Sequence, residues 1–221
     1  MSESKIRWQI AKFCRKMYEL GWVAATDGNV SVRLECGDIL TTPSGVCKGD
    51  IIPETLIHVT ATGELVPSTA HPAARPSSEL KMHLRCYACR PDVTAVIHAH
   101  PPCATAFAIV GKPLDDLSLM EAVLTIGNVP IAPYATPSTE QVGDCIEPFL
   151  QNHDVLLLQN HGTLSVGKDL ISAFRKTEIL EHSAKTLINA YSIGKPIPIS
   201  AENVQKLCAL REQHRITVGA P

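Results

Sequence analysis

The stretch Val93-Thr94-Ala95-Val96-Ile97 is β-branched and apolar, and it runs directly into His98-Ala99-His100. Such a run is expected to form a strand. Residues two apart on a strand point to the same face, so both imidazoles can meet one ion. A second apolar run, Val155-Leu156-Leu157-Leu158, reads as a buried strand and leads into Gln159-Asn160-His161-Gly162.

Other segments carry helical or turn signals. Ile6, Ile10, Phe13, Cys14 and Met17 recur at helical spacing, which predicts an amphipathic helix ending near Gly21. Thr26-Asp27-Gly28-Asn29 is a turn signal, and a strand is expected over residues 30–34. Cys36-Gly37-Asp38 turns the chain into Ile39-Leu40-Thr41-Thr42 as a hairpin, and Pro43-Ser44-Gly45 makes a further tight turn. Residues 56–59 and Leu65-Val66, around Thr60-Ala61-Thr62-Gly63, suggest a second hairpin. Residues 69–76 read as a proline-bearing loop, and Ser77-Ser78-Glu79 as a helix start with hydroxyls suited to capping. A helix is expected over residues 169–191, with Asp169 as N-cap and Gly194 as stop, and a last one over residues 201–213. Strands and helices intermingle without a Gly/Ser linker or a repeat, so residues 1–221 are expected to form one α/β domain.

Composition narrows the partners. A net charge of -2 gives no attraction to nucleic acid or an anionic membrane. No apolar run approaches the ~18 residues of a membrane span. Met1-Ser2-Glu3-Ser4-Lys5 leads into an amphipathic stretch of mixed charge rather than a secretory signal, so a cytoplasmic location is expected. The eight cysteines are then expected to be reduced thiols. Cys86 and Cys89 form a C-x-x-C pair, but a zinc ribbon needs a second pair. They read as two small helix residues.

Two constellations carry chemistry. The first is His98, His100 and His161. Three histidines leave a zinc ion an open position for substrate. Glu79, at a helix start, adds a carboxylate that can be a fourth ligand when the site is empty and a base when substrate displaces it. A cupin also uses H-x-H, but it needs a glutamate a few residues further on, and the first downstream acid here is Asp115. The second constellation is uncharged: Thr26, Gly28 and Asn29 in one turn, Ser44 and Gly45 in another, Ser77 and Ser78 at a helix start. Hydroxyls, a carboxamide and backbone N–H groups can hold an anion without arginine. Each turn taken alone is more often just a turn; the signal is their occurrence together with a metal site.

Six ordered stretches resemble the class II aldolase family: Thr26-Asp27-Gly28-Asn29-Val30-Ser31, Thr42-Pro43-Ser44-Gly45, Pro76-Ser77-Ser78-Glu79, Val96-Ile97-His98-Ala99-His100, Ala132-Pro133-Tyr134-Ala135-Thr136 and Gln159-Asn160-His161-Gly162. The resemblance covers nearly the whole chain. It implies a three-layer α/β/α fold around a mixed, largely antiparallel sheet, and a homotetramer with sites between subunits. It implies one zinc per subunit, or another divalent metal, bound by His98, His100 and His161, with Glu79 as ligand and catalytic acid/base. It implies that Thr26, Asn29, Ser44, Gly45, Ser77 and Ser78 hold the phosphate of a small sugar. The implied reaction is reversible cleavage of a ketose 1-phosphate to dihydroxyacetone phosphate and an aldehyde.

The resemblance departs at two tyrosines that sugar-phosphate aldolases of the family carry: one, from a neighbouring subunit, helps protonate the aldehyde oxygen, and the other lies near the C-terminus. The matching regions here are Leu117-Ser118-Leu119-Met120-Glu121 and Arg211-Glu212-Gln213-His214-Arg215. Glu121 and His214 are titratable replacements to consider. Leu119 and Met120 suggest an apolar substrate end, as in 5-deoxy- or 5-methylthio-ribulose 1-phosphate, against L-fuculose 1-phosphate. The same scaffold also serves sugar-phosphate 4-epimerases, which carry aspartate in place of Glu79, dehydratases, decarboxylases and the non-catalytic adducin head.

Overall fold

The computed structural model describes residues 2–67 and 75–218, with side chains described to residue 211. Helix α1 (Glu3–Glu19) buries Ile6, Ile10, Cys14 and Met17 along one stripe, as their spacing requires. Strands β1 (Asn29–Arg33), β2 (Ile39–Thr41) and β3 (Ile57–Val59) follow, and then α2 (Leu80–Cys89) and β4 (Ala95–Ala99). The next elements are α3 (Pro102–Ile109), α4 (Met120–Thr125), β5 (Ile131–Ala132) and α5 (Glu140–Leu150). The chain closes with β6 (Val155–Leu158), β7 (Gly162–Gly167), α6 (Leu170–Ile193) and α7 (Ala201–Val218).

The strands form one seven-stranded sheet in the order β3-β2-β1-β4-β7-β6-β5. Only β5 and β6 run parallel; the other neighbours are antiparallel. Alternation along the strands splits the core into two faces. Ala95, Ile97 and Ala99 of β4 pack with α1 and with Leu170, Ala173 and Phe174 of α6. Val96 of the same strand packs on the other face with Met82 and Cys86 of α2 and Ile146 of α5. Val155 and Leu157 of β6 lie under α3, α4 and α6. The architecture is therefore the expected three-layer α/β/α with a mixed, mostly antiparallel sheet. No helix among the described residues is long and apolar enough to cross a membrane. All eight cysteines are free, with Cys86 buried and Cys89 half-buried on α2.

Several local expectations need correction. The second hairpin reduces to a single bridge, Val59 to Leu65, so Leu65-Val66 does not make a strand. Glu79 occupies the N-cap position of α2 and its side chain makes no cap bond, while the Ser77 hydroxyl, two residues earlier, accepts from the Glu79 N–H at 3.3 Å. The strand expected over residues 93–97 is displaced two residues along the chain, so His98 lies within β4 and His100 just beyond it. Most of the loop expected over residues 69–76 lies outside the described residues. At the other end of the chain, Asp169 does cap α6, accepting from the Ser172 N–H at 2.6 Å, and Gly194 ends it.

Candidate active site

β4 delivers its histidines to one end of the sheet. His98 is fully buried, and its Nδ1 lies 2.9 Å from the Thr163 carbonyl of neighbouring β7. A carbonyl only accepts, so Nδ1 carries a proton, and Nε2 is the atom that faces the cluster. That Nε2 lies 3.0 Å from Nε2 of His100 and 3.2 Å from Oε2 of Glu79. His161 comes from the tight turn between β6 and β7, with its Nε2 3.3 Å from the other oxygen, Oε1 of Glu79. One nitrogen from each of the three histidines falls within 4.8 Å of the others.

The electrostatics of this cluster favour a cation. Burial lowers the basicity of His100, to a pKa of about 4, with His98 and His161 adding to the effect. Burial also lowers that of His161, again reinforced by His98. Burial alone would raise the pKa of Glu79, but the hydrogen bond and charge of His98, then His161 and Asn29, hold it below the ordinary carboxylate range. His100 and His161, kept from protonation by burial, and an ionised Glu79 turn acceptor atoms on one another. Glu79 Oε1 is buried with no hydrogen-bond donor. A divalent ion would satisfy the whole set, and the donor chemistry fits one.

Beside the histidines lies a cleft of about 280 Å³. Thr26, Asn29, Ser44, Gly45, Ser77 and Ser78 all line it, together with Glu79, His100 and His161. Gly28 brings the first turn against β4: its φ is +71°, and a Cβ there would lie 2.9 Å from the His98 carbonyl oxygen. Asn29, 2% exposed, begins β1 opposite His98 and donates from Nδ2 to Ser77 Oγ at 3.2 Å and to Glu79 Oε2 at 3.0 Å. Its Oδ1 is buried without a partner. Beneath the site, Ser31 Oγ bonds His83 Nδ1 and Tyr87 Oη, each at 2.7 Å, and ties α2 to β1.

The structure thus brings together every expected ligand and anion-site residue. It does not bring Glu121 to the cleft; that residue is exposed on α4. The side chain of His214 lies outside the described residues. Leu119 packs into the chain's own core, whereas Met120 is 49% exposed. The sequence reading missed Asp27, Lys48, Pro137 and Ser138, which also line the cleft. The positive φ of Ser138, 68°, has no signature in a sequence read without its neighbours.

Comparison with known proteins agrees with this geometry. The family described as Class II Aldolase and Adducin N-terminal domain matches residues 8–188. An L-fuculose phosphate aldolase from Escherichia coli is 30% identical over 203 residues, covering 91% of each chain. A 3-oxo-tetronate 4-phosphate decarboxylase from Escherichia coli is also 30% identical, over 190 residues that cover 84% of this chain and 87% of the relative. A solved L-fuculose 1-phosphate aldolase superposes with a TM-score of 0.86 at 29% identity, covering 96% of this chain and 98% of that one. The chain belongs to the class II aldolase and adducin N-terminal domain family.

Proposed function

We propose that this protein is a zinc-dependent aldolase that reversibly cleaves a ketose 1-phosphate to dihydroxyacetone phosphate and an aldehyde. The observation that carries the reading is the position of Glu79. One carboxylate contacts the histidine cluster and, through Asn29, the polar cleft. A group that moves a proton at carbon, next to an anchored phosphate, belongs at that junction.

His98, His100 and His161 would hold one zinc per subunit, with Glu79 as a further ligand; three imidazoles and a carboxylate suit zinc, and another divalent ion is the alternative. The ion supplies the Lewis acidity that a carbanion equivalent needs at neutral pH. Thr26, Asn29, Ser44, Gly45, Ser77 and Ser78 bind the phosphate and fix the ketose carbons against Glu79. On cleavage the C3–C4 electron pair stays on C3, delocalised into the C2 carbonyl as an enediolate. The C4 hydroxyl passes its proton to solvent water as C4 becomes the aldehyde carbon. Glu79 then delivers a proton to C3, giving dihydroxyacetone phosphate, and in synthesis it removes that proton. The site is completed in a homotetramer; Ile109, Val110 and Tyr134, more than half exposed on one chain, support a partner surface. Light scattering that shows an active monomer would refute the assembly.

A second reading, a decarboxylase, is favoured by one observation: the 3-oxo-tetronate 4-phosphate decarboxylase is 30% identical to this chain, as is the L-fuculose phosphate aldolase. Loss of carbon dioxide from a 3-oxo-tetronate 4-phosphate leaves the electron pair on the same carbon, and no hydroxyl proton has to move. A coupled assay for dihydroxyacetone phosphate separates the two. Release from a ketose 1-phosphate supports the aldolase. Release only from the oxo acid, with carbon dioxide, replaces it with the decarboxylase.

A further inference from the structure

Lys48 lies in the turn that follows Ser44 and Gly45, and its side chain is 1% exposed. Its Nζ donates to the Thr26 carbonyl at 2.7 Å and to the Val46 carbonyl at 2.9 Å. It thereby joins the two turns that form one wall of the cleft. It is also the only lysine or arginine among the described residues lining that cleft, whose acids are Asp27 and Glu79. Burying an ammonium is costly unless a counter-charge meets it. Here it has two carbonyls, with no carboxylate in ion-pair contact among the described residues, and burial shifts its pKa downward accordingly. Asp27, on the same wall, brings a carboxylate that would repel a phosphate dianion unless a cationic side chain offsets it.

We propose that Lys48 is a phosphate-binding residue: held by the carbonyls of both turns, its ammonium donates its remaining N–H to the substrate phosphate and supplies the one cationic Lys or Arg side chain among the described residues that line the cleft. The inference rests on the reading of this cleft as the phosphate site. It makes Lys48 a specificity determinant for phosphorylated over unphosphorylated sugars, with its two carbonyl bonds setting the spacing of the Thr26 and Ser44 turns.

The test uses the zinc-loaded protein and inorganic phosphate. In wild type labelled at lysine Nζ, the Lys48 resonance, assigned by its loss in Lys48→Arg, should shift on titration together with the amides of Gly28, Asn29 and Gly45. Lys48→Met should weaken phosphate binding roughly 10–100-fold, the usual worth of a hydrogen bond to a charged group. It should raise KM for the phosphorylated substrate far more than it lowers kcat, and zinc content should hold. A Lys48→Met protein that is less stable but binds phosphate as wild type does would reduce Lys48 to a structural tie and overturn the proposal. If Lys48→Met does not fold, the wild-type titration decides alone. Amide shifts without a Lys48 shift overturn the role of Lys48 only. No shift at all removes both this proposal and the phosphate-site reading beneath it.

Discussion

Gly162 is where the two strands that carry the histidine cluster press most closely. A Cβ built there would lie 2.5 Å from Cδ2 of His100 and 2.6 Å from the Ala99 carbonyl oxygen. Ordinary non-bonded contact needs about 3.5–4.0 Å, so Gly162→Ala overlaps its neighbours by about 1 Å. Neither neighbour yields freely. The Ala99 carbonyl accepts from Thr163 Oγ1 at 3.1 Å, and the His100 N–H is held by the Trp22 carbonyl at 2.8 Å. The ring or the strand end must move by a distance large against the ~0.2 Å tolerance of a metal ligand. The expected cost is about 1–3 kcal/mol of stability, as for other overpacked sites. That corresponds to a fall in Tm of about 2–12 °C. Zinc affinity should fall roughly 10–100-fold, as when ligand-orienting neighbours are changed. Thermal unfolding of the metal-free protein and chelator competition for zinc read the two effects separately. Gly194→Ala, where a Cβ meets nothing within 4 Å, is the control and should change stability by less than about 0.5 kcal/mol. A Gly162→Ala protein with wild-type zinc affinity and Tm would refute the placement of His100 against β7.

Glu79→Gln should retain most of the zinc yet lose roughly 10²–10⁴ in kcat, whereas Asn29→Ala and Ser77→Ala should mainly raise KM for phosphorylated substrate; equal kcat losses in all three would merge roles kept apart here. Burial holds His83 neutral, with a pKa down to about 3, while the unfolded ring takes its proton near pH 6.5. Its contribution is therefore complete above about pH 6.5 and is lost as pH falls toward 3, reaching about 2 kcal/mol at pH 5. Urea unfolding of the metal-free protein at pH 7 and pH 5 should show a stability drop smaller by about that amount in His83→Gln, and equal drops would show that the ring titrates freely. Met120 is exposed and outside its own chain's cleft; on the proposal that it faces the substrate end in a neighbouring subunit's site, kcat/KM should be higher for 5-methylthioribulose 1-phosphate than for L-fuculose 1-phosphate, and a clear preference for the fully hydroxylated sugar would sink that assignment.

What was legible in the sequence is what short-range periodicity encodes. The 3.6-residue spacing of Ile6, Ile10 and Met17 specified α1, and strand parity put His98 and His100 on one side. Other elements lack such a signal. α3 is built of small and apolar residues around its whole circumference, so no stripe marks it. α5 contains Pro148, which reads locally as a stop. β7 begins and ends in glycine, and both glycines are tolerated because the neighbouring backbone comes too close for a side chain. Val46-Cys47-Lys48-Gly49-Asp50 carries no periodicity that marks Lys48 as buried; packing of α1 over that turn buries it. The polar cleft was recognised through family resemblance, since each contributing turn is ordinary by itself.

The central claim is that Glu79 moves a proton at carbon next to a bound phosphate, and it can be measured without knowing the aldehyde. The protein, zinc-loaded, is incubated with dihydroxyacetone phosphate in deuterium oxide, and the hydroxymethyl protons are followed by NMR. One of the two should exchange stereospecifically, at a rate that falls by roughly 10²–10⁴ in Glu79→Gln and is lost on chelation. Exchange that persists unchanged in Glu79→Gln or in the chelated protein, or its absence in the zinc-loaded wild type, would contradict the account.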